Sequence, residues 1–372
     1  MKTVLLKDIC TPEKGKQIDT NLLNDCNKIK YINGGIKESG YYTESNTDGN
    51  VVIVSEGGAS CGYVNFIEEP FWCGCHCYRL VNCKVKPLYL YYVLKGNQSK
   101  IMALRTGAAM PNIKKSSFEK LPVNVDFDEH NEQVVIDALS NIEKAIKNKQ
   151  NELSLLDELI KSRFIEMFGN IFKKATLESL TTKITDGSHN PPKGVEKSEY
   201  LMLSSQNVYE NLILDDVRYL TKEDFERENK RTDIQNGDVL LTIVGTVGRT
   251  YVVKNNEKYV FQRSVAVIKP IVNILNGTFL STYLQTPEAI NQLETGAHGS
   301  SQKGIYLNDL KKLQIPVVDY SKQLEFESFV KQVDKSKFVY HSRYFLCDIL
   351  TLFSSTIAYS RVVSILAWPN IF

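Results

Sequence analysis

The sequence predicts an α+β protein: two copies of one mixed α/β domain, separated by a long helix, with a second long helix beginning after the second copy. Two observations support this. The stretch "RTGAAMPNIKKSSFEKLPV" (105–123) returns loosely as "ETGAHGSSQKGIYLNDLKKLQIPV" (294–317), and a segment without glycine or proline lies between the copies. Similar stretches that recur in the same order indicate a duplicated domain.

Each copy is predicted to contain short strands followed by short helices. An apolar, tyrosine-bearing segment precedes the repeated stretch in both copies. Before it comes a β-rich stretch with glycines, "VVIVSEGGASCGYVNF" (51–66) or "GDVLLTIVGTVGRTYVV" (237–253). Runs of β-branched and aromatic residues bounded by turn residues favour strands. The glycines at 57, 58, 62, 245 and 248 suit bends or close backbone approach in a sheet rather than phosphate binding.

The segment from Asp128 to Phe168 is predicted to be one helix with a coiled-coil seam. The seam positions step by four and three throughout, and all are apolar except Lys149 and Arg163: 135, 139, 142, 146, 149, 153, 156, 160, 163 and 167. A heptad pattern sustained for more than four repeats predicts a partner helix. The stretch Ser321 to Phe338 begins a second helix, with Leu324, Phe329 and Val333 as apolar residues.

The net charge is distributed unevenly along the chain. Its 45 basic and 43 acidic residues leave a formal charge of only +2, which identifies no partner. Residues 126–168, however, hold ten acidic and five basic residues, so the remaining chain carries +7. This segregation favours two domains that meet a polyanion and a connecting helix that does not.

The compartment and the membrane class follow from the chain's apolar runs and cysteines. Lys7 and Asp8 interrupt the only apolar run at the amino end, and the eight cysteines are scattered. We therefore expect no signal peptide and a reducing cytoplasm. The segment after Phe338 is apolar and β-branched, but it contains no uninterrupted run of eighteen apolar residues, so a membrane span is not expected.

The stretch from Glu69 to Leu80, "EPFWCGCHCYRL", raises the question of a metal site. On one straight strand, Cys73, Cys75 and Cys77 would share a face. Thiols arranged in this way splay along the strand and do not converge on a tetrahedral ion. Small apolar thiols facing a core are the favoured interpretation, a zinc site is the alternative, and no metal ligand is predicted.

No catalytic residue is predicted either. Asn190-Pro191-Pro192 begins an Asn-Pro-Pro-aromatic motif of adenine methyltransferases, but Lys193 stands where the ring that stacks on a flipped base is needed. Glu228-Asn229-Lys230 fits a nuclease fragment, yet it lies in the charged run "TKEDFERENKR", which is typical of a helix surface. The five histidines form no spaced ligand set, and no phosphate-binding glycine motif is present.

The duplicated order around a long helix resembles the specificity subunit of type I restriction-modification systems. The motifs that carry this resemblance are "LLKDICTPEKGKQI", "VVIVSEGGASCGYVNFIEEPFW" and "TGAAMPNIKK" in the first copy, and "DGSHNPP" (186–192) and "GDVLLTIVGTVGR" (237–249) in the second. Each motif alone is weak, but together they span nearly all of residues 1–338. The resemblance divides the chain into a first target-recognition domain (1–125), a central spacer helix (126–170), a second target-recognition domain (171–320), the start of a second spacer helix (321–340) and an atypical tail (341–372).

The resemblance also implies a function and a set of partners. Each domain would recognise one half of a bipartite double-stranded DNA target. The spacer helices would pack antiparallel, fix the gap between the half-sites and dock two adenine methyltransferase subunits, and restriction subunits would complete the assembly. The chain itself would be non-catalytic and would hold no cofactor, because S-adenosylmethionine would bind the methyltransferase. The apolar tail departs from this pattern, and we expect it to leave the first spacer helix with a shortened partner.

Candidate DNA contacts lie in glycine turns and in the duplicated polar runs. Phosphates are contacted by basic side chains and backbone amides, and base edges by basic, amide and hydroxyl side chains. In the first copy the candidates are Lys14, Lys16, Gln17, Arg105, Asn112, Lys114 and Lys115. In the second copy they are Ser188, His189, Lys193, Arg249, Ser300, Ser301, Gln302 and Lys303.

A second function class stays open at this point. The chain could be a stand-alone DNA-binding or scaffold protein that dimerises through the heptad helix. Complex formation with a methyltransferase subunit would separate the two functions.

Overall fold

Residues 1–107, 110–254, 258–298 and 304–341 of the 372-residue chain are described by a computed structural model. The chain divides into two compact units, Met1–Gln150 (unit 1) and Asn151–Tyr340 (unit 2). The boundary falls inside one continuous helix. None of the described helices is both long and apolar enough to span a membrane.

Unit 1 contains nine strands and three short helices before the long helix begins. The strands are β1 Lys2–Leu5, β2 Thr11–Lys14, β3 Ile29–Ile32, β4 Gly40–Tyr42, β5 Val51–Ser55, β6 Val64–Ile67, β7 Trp72–Cys73, β8 Cys77–Val81 and β9 Pro122–Val125. The helices are α1 Pro87–Gly96, α2 Gln98–Met102, α3 Lys115–Phe118 and the long α4 Glu129–Phe168.

Unit 2 follows the same order with two additions, helix α5 and the hairpin β18–β19. Its strands are β10 Lys174–Thr176, β11 Thr181–Asp186, β12 Tyr200–Leu203, β13 Arg218–Leu220, β14 Val239–Thr242, β15 Thr250–Val252, β16 Tyr259–Phe261, β17 Val265–Pro270, β18 Ala297–His298, β19 Gly304–Ile305 and β20 Gln314–Pro316. Its helices are α5 Lys222–Thr232, α6 Gly277–Tyr283, α7 Pro287–Thr295, α8 Leu307–Leu310 and α9 Tyr320–His341.

The sheet topology of the two units is the same. The four-stranded antiparallel sheet has the order β2-β8-β5-β6 in unit 1 and β11-β17-β14-β15 in unit 2. The three-stranded sheets, β4-β3-β7 and β13-β12-β16, each contain one parallel pair, and β1-β9 matches β10-β20. The predicted fold class, two repeated mixed α/β domains with long spacer helices, is confirmed.

Each four-stranded sheet is buried on both faces because successive side chains of a strand point in opposite directions. Val52 and Val54 of β5 pack with Leu90 of α1 in one core, whereas Ile53 packs with Phe71 in another. In unit 2, Val239 and Leu241 pack with α6, and Leu240 faces the three-stranded sheet. The sheet therefore forms a middle layer between helices and a second sheet.

The seam predicted along α4 is shielded from solvent. All ten predicted positions are buried or half-buried, including Lys149 and Arg163. In unit 2 the partner is α9, which runs antiparallel to α4. Phe326 packs on Phe164 with ring centroids 5.3 Å apart, while Lys337, eleven residues later, forms an ion pair with Asp157, seven residues earlier.

One detail of the second helix differs from the prediction. Leu324 is 42% exposed, whereas Phe326 is fully buried between Phe164 and Phe168. The inner face of α9 includes Gln323, Phe326 and Val333, which step by three and seven residues along the helix. Phe329 packs against the core and Val333 is buried, so only Leu324 of the three predicted apolar residues lies outside the inner face.

Lys337 has an environment that retains its charge although its side chain is only 14% exposed. Burial lowers the pKa of its ammonium group, but the carboxylates of Asp157, Glu210 and Asp334 more than offset this effect and raise the pKa above its usual value. A buried charge with several opposite charges stays ionised. Lys337 therefore links α9 to α4 and to the Glu210 loop of unit 2.

A buried polar side chain attaches each long helix to its domain at the same point. Glu132 of α4 is 2% exposed and accepts a hydrogen bond of 2.8 Å from the backbone N–H of Lys86, the residue before α1. Gln323 of α9 is 1% exposed and accepts from the N–H of Asn276, the residue before α6, also at 2.8 Å. Gln323 also donates to the carbonyls of Ile274 and Val318.

Gln323→Leu is expected to destabilise unit 2 by at least about 2 kcal/mol, since the buried Asn276 N–H and Val318 carbonyl lose their partner and each costs about 1–3 kcal/mol. The half-buried carbonyl of Ile274 loses its partner as well. Urea unfolding of the full chain measures the loss. Lys322→Leu, on the exposed neighbouring position of α9, is the matched control and should change stability by less than about 0.5 kcal/mol. Equal effects of the two changes would contradict the buried attachment.

Gly15→Ala is expected to destabilise unit 1 by about 1–3 kcal/mol because the added methyl group overlaps the backbone carbonyl of Cys73. Gly57→Ala is the matched control in the same unit. Its methyl group would meet Pro111 O at 3.6 Å, an ordinary contact distance. Thermal unfolding compares the two variants, and a loss for Gly57→Ala as large as for Gly15→Ala would show that the close approach is not the cause.

Candidate nucleic-acid interface

The turn after β2 lies directly on the backbone of the β7–β8 connection. The N–H of Lys16 donates to Cys73 O at 2.8 Å, and a Cβ atom on Gly15 would overlap the carbonyls of Cys73 and Gly74. Only glycine fits such an approach without displacement. The turn therefore fixes the positions at which Lys14, Lys16 and Gln17 leave the sheet.

Unit 2 repeats this turn after β11. The N–H of Ser188 donates to Phe261 O at 2.7 Å, and a Cβ atom on Gly187 would overlap the carbonyls of Phe261 and Gln262. The backbone positions of the two turns correspond one to one. Asp186, Ser188 and His189 thus stand where unit 1 has Lys14, Lys16 and Gln17.

The glycine-rich loop beside the turn is also duplicated. Gly62 N–H donates to Ser55 O at 2.7 Å in unit 1, and Gly248 N–H donates to Thr242 O at 3.0 Å in unit 2. Gly58 and Gly245 occupy matching positions with φ of 78° and 84°, a region that disfavours other residues. The bends predicted at these glycines are therefore present, and they lie in the loops that join β5 to β6 and β14 to β15.

Three loops of unit 1 meet at Glu56. Its N–H donates to His76 O at 2.7 Å, and its carbonyl accepts from Ile113 N–H at 2.8 Å. Its carboxylate lies 2.6 Å from Lys14 Nζ and 3.9 Å from His76 Nδ1, with a side chain only 12% exposed. Glu56 thus joins the β2 turn, the turn at His76 and the polar run that contains Asn112.

Most of the candidate residues of unit 1 are exposed around this junction: Lys14, Lys16, Gln17, Asn112, Lys114 and Lys115. The Thr106 and Asn112 backbones exchange hydrogen bonds of 2.8 and 2.9 Å, which close the loop of the polar run. Arg105 is half-buried and its Nε donates to Cys61 O at 2.7 Å. Arg105 therefore has a structural contact, and Lys14 is paired with Glu56.

The candidates of unit 2 are placed less uniformly. His189 and Lys193 are exposed, whereas Ser188 is only 7% exposed and offers little side-chain surface. Arg249 is half-buried, with its guanidinium 4.0 Å from the centre of the Tyr209 ring, a cation–π contact. Ser300, Ser301, Gln302 and Lys303 lie outside the described residues.

Asp186 is the centre of a polar cluster in unit 2 that the sequence did not predict. Its carboxylate accepts a hydrogen bond from Arg231 Nη2, and its other oxygen lies 2.7 Å from His189 Nε2. Arg231 Nε also donates to the backbone carbonyl of Asp186 at 3.0 Å. Arg231 is in the last turn of α5, inside the charged run that was interpreted only as helix surface.

The prediction of one straight strand through the cysteine-rich stretch is wrong. β7 ends at Cys73, a turn covers Gly74 to His76, and β8 begins at Cys77. Cys73 and Cys77 are fully buried with Ile32 and Phe71, as expected for core thiols, whereas Cys75 is half-buried and donates to Gln17 at 3.0 Å. No group of three or more potential ligands is arranged for a metal ion anywhere in the described ranges.

The buried Cys77 thiol is not prepared to act as a ligand. Contact with the Cys73 thiol, together with burial, raises the pKa of the Cys77 thiol. A raised pKa keeps a thiol protonated at neutral pH, and metal ions bind the thiolate. Cys73 and Cys77 are both buried in the core beneath the turn that carries Lys16.

The two enzyme-like fragments have ordinary structural contacts. The carbonyl of Pro192 accepts a hydrogen bond of 2.9 Å from Arg218 Nη1, which fixes the proline loop. Glu228 lies on α5 and pairs with Arg227 at 3.3 Å. The helix expected for the charged run is present at Lys222–Thr232.

Glu56, His76, Asp186 and Arg231 are the polar residues at these sites that sequence reasoning missed. Glu56 directly precedes the Gly57-Gly58 pair, and Asp186 directly precedes the glycine of its turn. A charged residue directly before a glycine was the available signal for these two. Arg231 had no such signal, because its partner is 45 residues away in the chain.

Comparisons with known proteins identify the family. The model of the type I restriction modification DNA specificity domain matches residues 1–156 and 191–341. Type I specificity subunits of Mycoplasma pneumoniae and Mycoplasma genitalium are 31% identical over 155 residues and 30% identical over 184 residues. These matches cover 41% and 47% of this chain and 41% and 48% of the relatives, so the chain spans about half the length of the curated relatives it matches.

A solved structure supports the fold across the whole chain. The S subunit of a type I restriction-modification system from M. genitalium superposes with a TM-score of 0.61 at 18% identity, and the match covers 100% of this chain and 96% of that one. At this identity the likeness concerns the fold alone. Because the family model matches well over half of its residues, the chain belongs to the type I restriction modification DNA specificity domain family.

Proposed function

We propose that the chain is the DNA sequence-specificity subunit of a type I restriction-modification complex. Units 1 and 2 each recognise one part of a split double-stranded target. The observation that carries this proposal is the pair of turns at Gly15 and Gly187, which have one backbone arrangement and different side chains. Identical side chains would suit two identical half-sites, whereas Gln17 against His189, both exposed, suits two different ones.

The long helices are proposed to set the gap between the half-sites and to dock two adenine methyltransferase subunits. α4 has 40 residues, so it is roughly 60 Å long. A helix of this length keeps a constant separation, whereas a flexible linker of equal residue number would not. The buried hydrogen bonds of Glu132 and Gln323 favour a fixed orientation of α4 relative to unit 1 and of α9 relative to unit 2.

The chemistry is proposed to belong to the partners. The chain would work in the cytoplasm, where DNA lies, as a non-catalytic component without a cofactor. S-adenosylmethionine would bind the methyltransferase, and restriction subunits would join the assembled complex.

Co-expression with the methyltransferase subunit of the same system tests the proposal. The expected result is a stable complex that methylates adenine within a two-part sequence of fixed gap, as mapped across genomic DNA; the methyltransferase alone is the control. A self-associated dimer that ignores the methyltransferase would instead support a stand-alone DNA-binding or scaffold protein.

Lys16→Ala is expected to reduce the salt dependence of DNA binding by the complex. A lost phosphate contact lowers the slope of log K against log salt by about 0.9 and weakens binding to all sequences alike. Fluorescence anisotropy at several salt concentrations measures the slope. Lys7→Ala, an exposed lysine beside the β1–β9 pair, is the matched control, and an equal change for both variants would contradict a local contact at the turn.

A further inference from the structure

We propose that Arg231, oriented by Asp186, recognises a guanine in the half-site of unit 2. This inference rests on the proposed function and names the base that the turn region of unit 2 recognises. Arginine pairs with guanine by donating two parallel hydrogen bonds to O6 and N7, and this pairing requires a fixed guanidinium plane.

The contacts of Arg231 leave the required edge of its guanidinium available. Nε donates to the Asp186 carbonyl and Nη2 donates to the Asp186 carboxylate, so one side of the fork is occupied. Nη2 also lies 3.5 Å from His189 Nε2, but that nitrogen carries the proton it donates to the Asp186 carboxylate at 2.7 Å and so does not accept from Arg231. Among the described residues, Nη1 has no hydrogen-bond partner, and the side chain is 48% exposed. The outer edge formed by Nη1 and Nη2 is the edge that matches guanine.

The backbone of Arg231 is also held in place. Lys183 Nζ donates to the Arg231 carbonyl at 2.6 Å, and Arg231 lies in the last turn of α5. A side chain whose rotamer is fixed before binding loses less conformational entropy when it binds. The α5 helix therefore presents Arg231 beside the Gly187 turn in a prepared orientation.

Asp186 is a positioning residue and does not contact the base. Its carboxylate is 9% exposed, one oxygen accepts from Arg231 and the other lies 2.7 Å from His189. A carboxylate engaged in this way has no exposed oxygen that could accept from the amino group of cytosine. Its contribution is the orientation of Arg231.

The charge balance separates base recognition from phosphate binding. Arg231 and Asp186 together carry no net charge, so the pair adds little attraction to a polyanion. The guanidinium therefore contributes to DNA binding through directional hydrogen bonds and not through net charge. Unit 1 lacks an equivalent pair: Lys14 occupies the position of Asp186, and the described residues between β4 and β5 contain no helix equivalent to α5.

The experiment compares target preference for complexes of the full chain with its methyltransferase subunit. Arg231→Gln should relax the preference for one guanine in the unit 2 half-site by about tenfold to 100-fold and leave the unit 1 half-site unchanged. Arg231→Lys keeps the charge but not the fork, and it should relax the same position. Asp186→Asn should give a partial effect at that position. The slope of binding against salt should remain that of the unmodified chain.

Arg227→Gln is the matched control, because Arg227 lies on the same helix one turn earlier and pairs with Asp224 at 2.7 Å. It should change neither half-site. Retained preference for the unit 1 half-site shows that each variant is folded and assembled. A salt slope reduced by about 0.9 with unchanged base preference would identify a phosphate contact and overturn the inference. If the unmodified complex has no split target, the proposed function itself fails.

Discussion

The structure depends on two places where the backbone leaves room only for a hydrogen atom. At Gly15 and at Gly187, the turn after the first strand of the four-stranded sheet lies on the carbonyl groups of a neighbouring segment. This contact, with the hydrogen bond from the next residue, fixes the direction of the following side chains in both units. The exposed residues that follow each turn can then differ between the two units while the backbone that holds them stays the same.

The long helices are attached to the recognition domains by polar groups and not only by apolar packing. Glu132 and Gln323 accept from the backbone N–H that precedes the first helix after each four-stranded sheet, and both are almost fully buried. A buried hydrogen bond specifies one rotation of a helix, whereas apolar surfaces tolerate several. The surface proposed for DNA recognition in each unit is thereby fixed relative to the helix that extends from that unit.

The pattern of apolar residues and the internal repeat predicted much of the fold, because a heptad seam and the order of the strands depend on residues that are close in sequence. The straight strand through Cys73 and Cys77 was wrong, since Gly74 makes a turn that alternation cannot reveal. The partners of Glu56 and Asp186 were missed because Lys14 and Arg231 are distant in sequence. All of the DNA contacts remain predictions, and residues 300–303 and 342–372 lie outside the described residues.

The proposed function requires that the two equivalent backbone turns recognise DNA independently through different exposed side chains. The most direct test replaces Lys16 by serine and Gln17 by histidine, so that the unit 1 turn carries the side chains of the unit 2 turn. Selection of preferred targets from random DNA by the assembled complex is the measurement. One half-site is expected to change while the other half-site and the gap are retained. A change in both halves, or in neither, would contradict it.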